Sequence, residues 1–444
     1  MSWRLLQGAV SRQQRLADND MVPKRTPLML QIWMLASWCL SYPIVFLSRV
    51  MHRRMGADPK RFAERLGHQS EPSSDEVIWF HAASLGEVMQ IGPLAQHLSQ
   101  AEKTKVLVTT TTAAGADWVA RNMPDALHRF VPIETPSAVR RFLGTWAISA
   151  AIFVEGDLGP RLVMGLRKRG VPQILLNARH SRTRARFPAV FGFLLAQFSL
   201  ITCRSRSVAQ DLSALGLPDE LIHVVPDLRL TLPKLSAPAA VTDALSDAIG
   251  ARPLWLAGST HPADEGAVLA AHLEVVNAHP NALLIIAPRH PYRGEPLHQL
   301  ANDQGFEVAR RSLGDEISTN TQIYIADTLG EIGAFFALSS ITFLGGSFGN
   351  EGGHNPYEPA SFGSAILYGP HVKNFAGAYA ALGEVGAAFK IGEPAELGTA
   401  VVDHLGEDKA SKMARAGLDY MAQTQDCIST YLGLVEGALA TKRP

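Results

Sequence analysis

Short, nearly continuous apolar runs alternate with helical stretches from about residue 70 onward, and the series starts twice. "EVIWFHA", "KVLVTTTT", "SAAIFVEGD", "PQILLNA", "SLITCRS" and "IHVVPD" make the first set. "PLWLAGS", "NALLIIAPRH", "QIYIADT", "SITFLGGS" and "SAILYGP" make the second. A strand that is apolar at successive positions has to be covered on both faces, the condition of a parallel sheet between helices. The intervening stretches agree: Val88, Ile91, Leu94 and Leu98 fall on one helical stripe. The pattern predicts two doubly wound α/β domains facing one another across a cleft. At 444 residues the chain is also too long for one ordinary core. Residues 231–252, rich in Pro and Ala, are expected to contain the linker. The expected division is an N-terminal segment over 1–55, a Rossmann-like domain over 56–235, and a second one with C-terminal helices over 236–444.

The N-terminal segment follows a different rule. Pro27 to Ser48 contains no charged residue, and at about 1.5 Å per residue its 22 residues would reach roughly 33 Å, the depth of a bilayer core. Trp33, Trp38 and Tyr42 suit an interface, and Pro43 would kink the helix. Basic residues flank it: Lys24 and Arg25 before, Arg49, Arg53 and Arg54 after. It starts too late for a signal peptide, and no A-x-A-like site follows. The expectation is an apolar anchor helix over about 27–48. Elsewhere charge balances, 41 basic residues against 41 acidic, so nothing draws the whole chain toward nucleic acid. Cys39, Cys203 and Cys427 are far apart and match neither metal spacing nor a disulfide framework.

Polar residues gather where the predicted strands end. In the first half these are Ser84 to Glu87, Thr109 to Thr112, Glu155-Gly156-Asp157 and Asn177-Ala178-Arg179, followed by the basic run "RHSRTRAR". That run reads either as a solvated loop or as a dock for an anionic acceptor. Glu87 has two readings as well. Ser84 and Glu87 stand at the S-x-x-E spacing of a capping box; equally, a carboxylate at the C-terminal edge of a parallel sheet is where such folds place a base. In the second half the corresponding stretches are Pro288-Arg289-His290-Pro291, Asp327 to Glu331, and "GGSFGNEGGHNPYEPASFG" over 345–363. A helix is expected to begin near Asn355 or Pro356 and offer free N–H groups to a phosphate, with Arg289 adding a charged fork. The P-loop and the dinucleotide fingerprint are absent, which argues against a P-loop ATPase and a standard dinucleotide enzyme.

In order along the chain, "HAASLGEV", "NARHS", "AGSTHPADE", "PRHPYR", "DTLGEI", "GGSFGNEGGHNPYEPASFG" and "GPHVKNF" resemble the motifs of the 3-deoxy-D-manno-octulosonic acid (Kdo) transferases of lipopolysaccharide synthesis, which have the GT-B glycosyltransferase fold. The likeness runs from about residue 50 to about 380. It implies Glu87 as general base and Glu155 and Arg229 as groups that stabilise the transition state. It implies CMP held by Pro288, Arg289, Leu329, Gly330, Glu331, Asn355, Pro356, Tyr357 and Glu358. It further implies CMP-Kdo as donor, a lipid A precursor as acceptor, and an inner-membrane location with the catalytic domains on the cytoplasmic face; no cofactor is expected, no metal because no Asp/His cluster has metal spacing, and no nucleic-acid partner because charge balances. There are departures. Where the family has E-x-E-L-W-P-N, this chain has Glu155-Gly156-Asp157-Leu158-Gly159-Pro160-Arg161, and Arg229 replaces the family's lysine. Gly159 and Arg161 suggest an alternative, a CMP-sugar transferase with another acceptor or another ulosonic acid. A membrane-anchored CMP-binding member without catalysis and a GT-B-like sugar-nucleotide epimerase are further alternatives.

Overall fold

The structure, a computed structural model, describes residues 25–68, 75–102, 104–156, 158–231, 234–405, 407–423 and 427–440. The apolar N-terminal segment is not one helix but two, α1 (Leu28–Cys39) and α2 (Ser41–Arg54), bent by 78°. Among the described residues no single helix is long and apolar enough to cross a membrane; the bent pair passes that test only when taken together. Pro43 supplies the reason. In an unbroken helix it would leave the Cys39 carbonyl without a donor and press its ring against it; in the first turn of α2 it does neither. Ser41 Oγ fills the bend, donating to the carbonyls of Ser37 (2.9 Å) and Trp38 (2.8 Å). The hairpin is also not a detachable tail: Leu30 is fully buried in the first core, and Met34 packs beside it.

The chain divides into two units. The first takes residues up to Leu232 together with 426–444. Its strands are β1 (Glu76–His81), β2 (Lys105–Thr110), β3 (Leu127–Phe130), β4 (Ala147–Val154), β5 (Gln173–Ala178), β6 (Leu200–Cys203) and β7 (Ile222–Val224). They form one parallel sheet in the order β3-β2-β1-β4-β5-β6-β7. Alternation sorts the side chains: Val77 and Trp79 of β1 enter one core layer, Ile78 and Phe80 the other. The second layer is filled by α3 (Leu85–Glu102), whose Val88, Ile91, Leu94 and Leu98 are all buried. The first layer is filled in part by α4 (Pro160–Lys168) through Leu162, Val163 and Leu166.

The second unit spans Pro233–Gln425. It carries β8 (Leu254–Thr260), β9 (Leu283–Pro288), β10 (Val308–Arg310), β11 (Ile323–Ile325), β12 (Ile341–Leu344), β13 (Ala365–Tyr368) and β14 (Ala388–Lys390). These too are all parallel, in the order β10-β11-β9-β8-β12-β13-β14. The helix α5 (Pro262–Ala278) follows β8. Part of the expected linker is ordered here, because residues 231–252 include the helix Ala239–Ile249, which buries Leu245 and Ile249.

The last helix, α6 (Cys427–Ala440), belongs to the first unit and not to the second, where 236–444 had been expected to stay together. Cys427, Tyr431, Leu432 and Val435 join the α3 core layer, and the Tyr431 hydroxyl donates to the Pro226 carbonyl at 3.0 Å. The division accordingly falls at 232/233 and is crossed a second time near residue 425. Tyr431→Ala should destabilise the first unit by about 3–5 kcal/mol, the range for truncating a fully buried aromatic. Urea unfolding followed by Trp79 and the other tryptophans of that unit would measure it; an unchanged midpoint would show that α6 is not part of its core.

Candidate active site

In a parallel sheet all strand C-termini reach one rim, and in the first unit this rim concentrates buried polar groups. The chain leaves β1 and turns into α3 through a cap that does form. Ser84 Oγ accepts the Glu87 N–H at 3.4 Å, and Glu87 Oε2 accepts the Ala83 N–H at 2.6 Å. Glu87 is 9% exposed. One turn further, Gln90 Nε2 donates to Glu155 Oε1 at 3.2 Å, and Gln90 Oε1 accepts from Asn177 Nδ2 at 2.9 Å. Asn177 Nδ2 also reaches Asp227 Oδ1 at 3.0 Å. Arg229 Nη2 closes on Glu155 Oε1 at 2.8 Å, and Arg204 pairs with Asp227 at 3.2 Å. The structure thus brings Glu155 and Arg229 into direct contact and sets Glu87 one helical turn from the residue that links to them.

The backbone at this rim is strained. Glu155 and Asn177, at the ends of β4 and β5, have φ of 57° and 55°. Left-handed conformations at non-glycine residues cost about 1–3 kcal/mol and persist only where surroundings over-determine them. Here Arg184, itself buried, donates from Nη2 to the Glu155 carbonyl at 2.9 Å and from Nη1 to the Arg179 carbonyl at 3.0 Å. Its guanidinium lies where a Cβ at position 156 would have to go, so Gly156, with φ of 127°, is required. Burial, and then the neighbouring Arg179, lower the Arg184 pKa to about 10. The basic run is therefore split. Arg184 is interior scaffolding, Arg182 and Arg186 are exposed, and Arg179 is exposed with Nη1 3.4 Å from Glu155 Oε2. Beside it lies a cavity of ≈ 280 Å³, lined by Pro188, Val208, Leu212 and Leu215 together with the charged Arg179, Arg184 and Asp211.

Two of the departures have local causes. A side chain at Gly159 would collide with the Glu134 carboxylate, which caps α4 by accepting the N–H groups of Arg161 (2.7 Å) and Leu162 (3.2 Å). Arg161 turns away toward the N-terminal hairpin, donating to Ser37 Oγ. Asp157 lies outside the described residues.

In the second unit β9, β11 and β12 end on one rim, as expected. Arg289 is exposed and its charge acts on both Glu358 and His354. Glu358 is raised by burial, partly countered by a hydrogen bond from Asn355 Nδ2 at 3.3 Å and by Arg289. The helix after Pro356 is only Tyr357–Ser361, and Asn355 Oδ1 already accepts the Tyr357 N–H at 3.2 Å. It offers fewer free donors than expected. Leu329 is exposed and Gly330 has φ of 88°, while the Glu331 carboxylate is held by both arms of Arg311 (2.7 and 2.5 Å) and by Thr328. The glycines of 345–346 bring chain against chain. Gly345 abuts the backbone of Ser259 and Thr260, and Gly346, with φ of 64°, lies over His261 and His354. Those imidazoles share one Nε2···Nε2 contact of 3.0 Å, and burial, then His261, lower His354 to about 4. Below them the fully buried Asp264 accepts from the N–H groups of His261 (2.9 Å), Gly346 (2.7 Å) and Phe348 (3.1 Å).

Gln90, Asp227, Asp264 and Arg311 are the site-shaping residues to which pattern reading gave no role, and Arg184, read as part of a basic run, is scaffolding instead. Only Gln90 left a signal, as a polar residue three positions after Glu87. Arg311, then Thr328, holds the Glu331 carboxyl below its ordinary range. A carboxyl depressed in the folded state gives stability that is present above its unfolded pKa of about 4.3 and is lost as pH falls through the lower folded value. Glu331→Gln should therefore flatten the acid side of the stability–pH curve and leave the slope above pH 6 unchanged, which urea midpoints across pH would test.

A family profile described as "3-Deoxy-D-manno-octulosonic-acid transferase (kdotransferase)" matches residues 60–232. The Arabidopsis thaliana protein named "Probable 3-deoxy-D-manno-octulosonic acid transferase, mitochondrial" is 34% identical over 352 residues, covering 75% of this chain and 78% of its own length. The 3-deoxy-D-manno-octulosonic acid transferase of Haemophilus influenzae is 29% identical over 388 residues, with 85% and 91% covered. A glycosyltransferase structure from Rickettsia africae matches 83% of this chain and 99% of its own with a TM-score of 0.56; at 11% identity this is a likeness of fold. The profile match over the β1–β7 unit and the 34% identity across three quarters of the sequence agree with the motifs, and the chain belongs to the 3-deoxy-D-manno-octulosonic acid transferases, a family of glycosyltransferases.

Proposed function

We propose that the protein moves Kdo from CMP-Kdo to a sugar hydroxyl of a lipid A precursor, with inversion at the anomeric carbon. The observation that carries this reading is the Glu87–Gln90–Glu155–Arg229 constellation, in which two carboxylates of a family member share one rim. The acceptor hydroxyl attacks the anomeric carbon from the face opposite the phosphate. Its proton passes to Glu87, and the bond to the phosphate oxygen breaks with its electron pair leaving on CMP. Glu155 faces the positive charge that develops at the anomeric carbon, while Arg229, paired with it, meets the negative charge of the sugar's own carboxylate. In the second unit Arg289 meets the phosphate and Glu358 takes the ribose side. Leu329-Gly330-Glu331 contributes main-chain groups, since the Glu331 carboxylate is occupied by Arg311.

The acceptor reading is supported by Arg179, which lies 3.4 Å from Glu155 and lines a small cavity that could take an anionic group of the acceptor against Arg179 and Arg184, with Asp211 on the same wall. Association with the cytoplasmic face of the inner membrane rests on the hairpin. Leu28, Met29, Ile32, Leu35, Trp38 and Phe46 are exposed, and Arg49, Arg53 and Arg54 are exposed at its end with no acidic residue between 25 and 57.

Mass spectrometry of lipid A precursor incubated with CMP-Kdo and the protein should show addition of Kdo residues; an unmodified acceptor with no CMP released would overturn the reading. Glu87→Gln keeps an oxygen for the Ala83 N–H, so melting temperature and CMP affinity should hold while turnover falls by about 10²–10⁴, the usual worth of a positioned base. Transfer within a few-fold of wild type would return Glu87 to capping alone. Arg289→Ala should weaken CMP binding by about 1.5–3 kcal/mol, the range for a charge-assisted hydrogen bond, read by calorimetry.

A further inference from the structure

The hairpin touches the first unit along one stripe. Leu30, Met34 and Ser37 stand at helical spacings of four and three and face inward; Leu30 is 1% and Ser37 4% exposed. Leu28, Ile32 and Leu35 follow the same spacing on the other side and face out, and Tyr42 at the bend is 90% exposed. Two polar pins hold the inward stripe. Arg161 is the first. Its Nε and Nη2 donate to Ser37 Oγ at 3.0 and 2.8 Å, Nη2 also donates to the Met34 carbonyl, and the guanidinium lies 5.9 Å from the Trp33 ring. Burial lowers the Arg161 pKa, with Glu134 acting the other way. His52, at the far end of α2, is the second. It is fully buried, accepts from Arg65 Nε at Nδ1 (3.2 Å) and so donates from Nε2 to the Asp58 carbonyl (2.9 Å).

The position of Arg161 gives the first pin its meaning. It is the second residue of α4, six residues after Glu155. Its backbone N–H is fixed by Glu134, and the Glu155 peptide is fixed by Arg184. Arg161 therefore stands between two elements: its backbone begins α4 six positions after Glu155, and its side chain grips α1, the helix that presents apolar side chains outward. This family's pattern has Asn where this chain has Arg161. An asparagine has too short a side chain to span from α4 to Ser37 with a fork, whereas arginine's planar head makes several bonds at once.

We propose that Arg161 is a positioning residue that makes the hairpin a fixed pedestal, so that a lipid surface bound by its outer face holds the Glu155 turn at a set height for an acceptor embedded in that surface. The proposal rests on the membrane-acceptor reading above. The outer face is apolar and aromatic, its only charges are positive, and a bilayer containing anionic lipid is the occupant this composition fits.

The test compares wild type with Arg161→Ala and Arg161→Lys, which keeps charge but loses the fork. Three measurements are made on each: sedimentation with phosphatidylglycerol-containing vesicles, hydrogen exchange of residues 28–39, and transfer of Kdo to one lipid A precursor presented in vesicles or dispersed in detergent. Because the His52 pin remains, Arg161→Ala should still sediment with vesicles. Exchange across 28–39 should accelerate. Transfer in vesicles should fall by about ten- to a hundredfold, the effect of roughly 1 Å of misplacement, while transfer in detergent stays at the wild-type rate. Arg161→Lys should fall between, and it carries the test if the alanine variant does not fold. Equal losses in both presentations, or unaltered exchange in a folded variant, would overturn the pedestal alone. Wild-type protein that transfers in detergent but does not sediment with vesicles would overturn the membrane reading and the pedestal with it. Failure to transfer under either presentation would overturn the acceptor assignment, with the exchange measurement still deciding the role of Arg161 as a pin.

Discussion

The ion pair between Glu155 and Arg229 is the contact around which the first unit's rim is arranged. Both side chains are largely withdrawn from water, and burying two charges costs several kcal/mol each before any attraction is counted. The cost is offset only if the remaining hydrogen-bonding positions are filled. The structure fills them from three elements: Gln90 of α3 on the same Glu155 oxygen, Arg179 after β5 near the other, and Asp227 beside Arg229. Asn177 then ties Gln90 to Asp227, so the bracing runs between strand ends. The left-handed backbone at Glu155 and Asn177 fits this picture, because an extended residue at either place would carry its side chain elsewhere. Strain held by a buried polar network is the mark of a prearranged site, and here only the Nδ2 side of Asn177 is bonded, its Oδ1 being buried without a partner.

That network changes how the departures from the family pattern should be read. Taken from sequence, Gly159 and Arg161 pointed toward a different acceptor. In the structure each has an internal partner, Glu134 for the space at Gly159 and Ser37 for the guanidinium of Arg161. They belong to the seating of α4 and of the hairpin. The support they lent to another acceptor is correspondingly reduced, and Arg229 is left as the departure that sits among the proposed catalytic groups.

What could be read from the chain in advance follows from burial. Interior strands are covered on both faces, so β1, β4, β5, β8, β9 and β12 appear as unbroken apolar runs. The strands that escaped, β3, β10 and β14, are three of the four sheet edges. They are three or four residues long and carry His128, Arg129, Arg310 or Lys390, because an edge needs only one buried neighbour. The C-terminal helix was assigned to the wrong unit for a related reason. Its apolar stripe shows that it packs, but nothing local says against what. The same holds for the site. Glu87, Glu155, Arg289 and Glu331 stand beside strand ends and were visible there, whereas the roles of Gln90, Arg184, Asp227 and Arg311 come from contacts with Glu155, Asn177 and Glu331, each 20 or more positions away.

Arg229 shows how a departure can be accommodated at the centre of such a network. A lysine is a compact charge that turns about its stem, and it would meet Glu155 through one ammonium group. The guanidinium of Arg229 places Nη2 at 2.8 Å from Glu155 while Nη1 stands 3.9 Å from Asp227. Asp227 in turn accepts the backbone N–H of Arg229 at 3.0 Å and receives Arg204. The larger head is therefore held from both sides, and its plane is set before any substrate arrives. The fork spends one arm on Glu155, so in the proposed mechanism the charge it would present to the sugar comes from a position fixed by the protein and not by the ligand. A stabilising group whose orientation is settled in advance costs little reorganisation when charge develops, which is how an arginine can serve at a position where its family uses lysine.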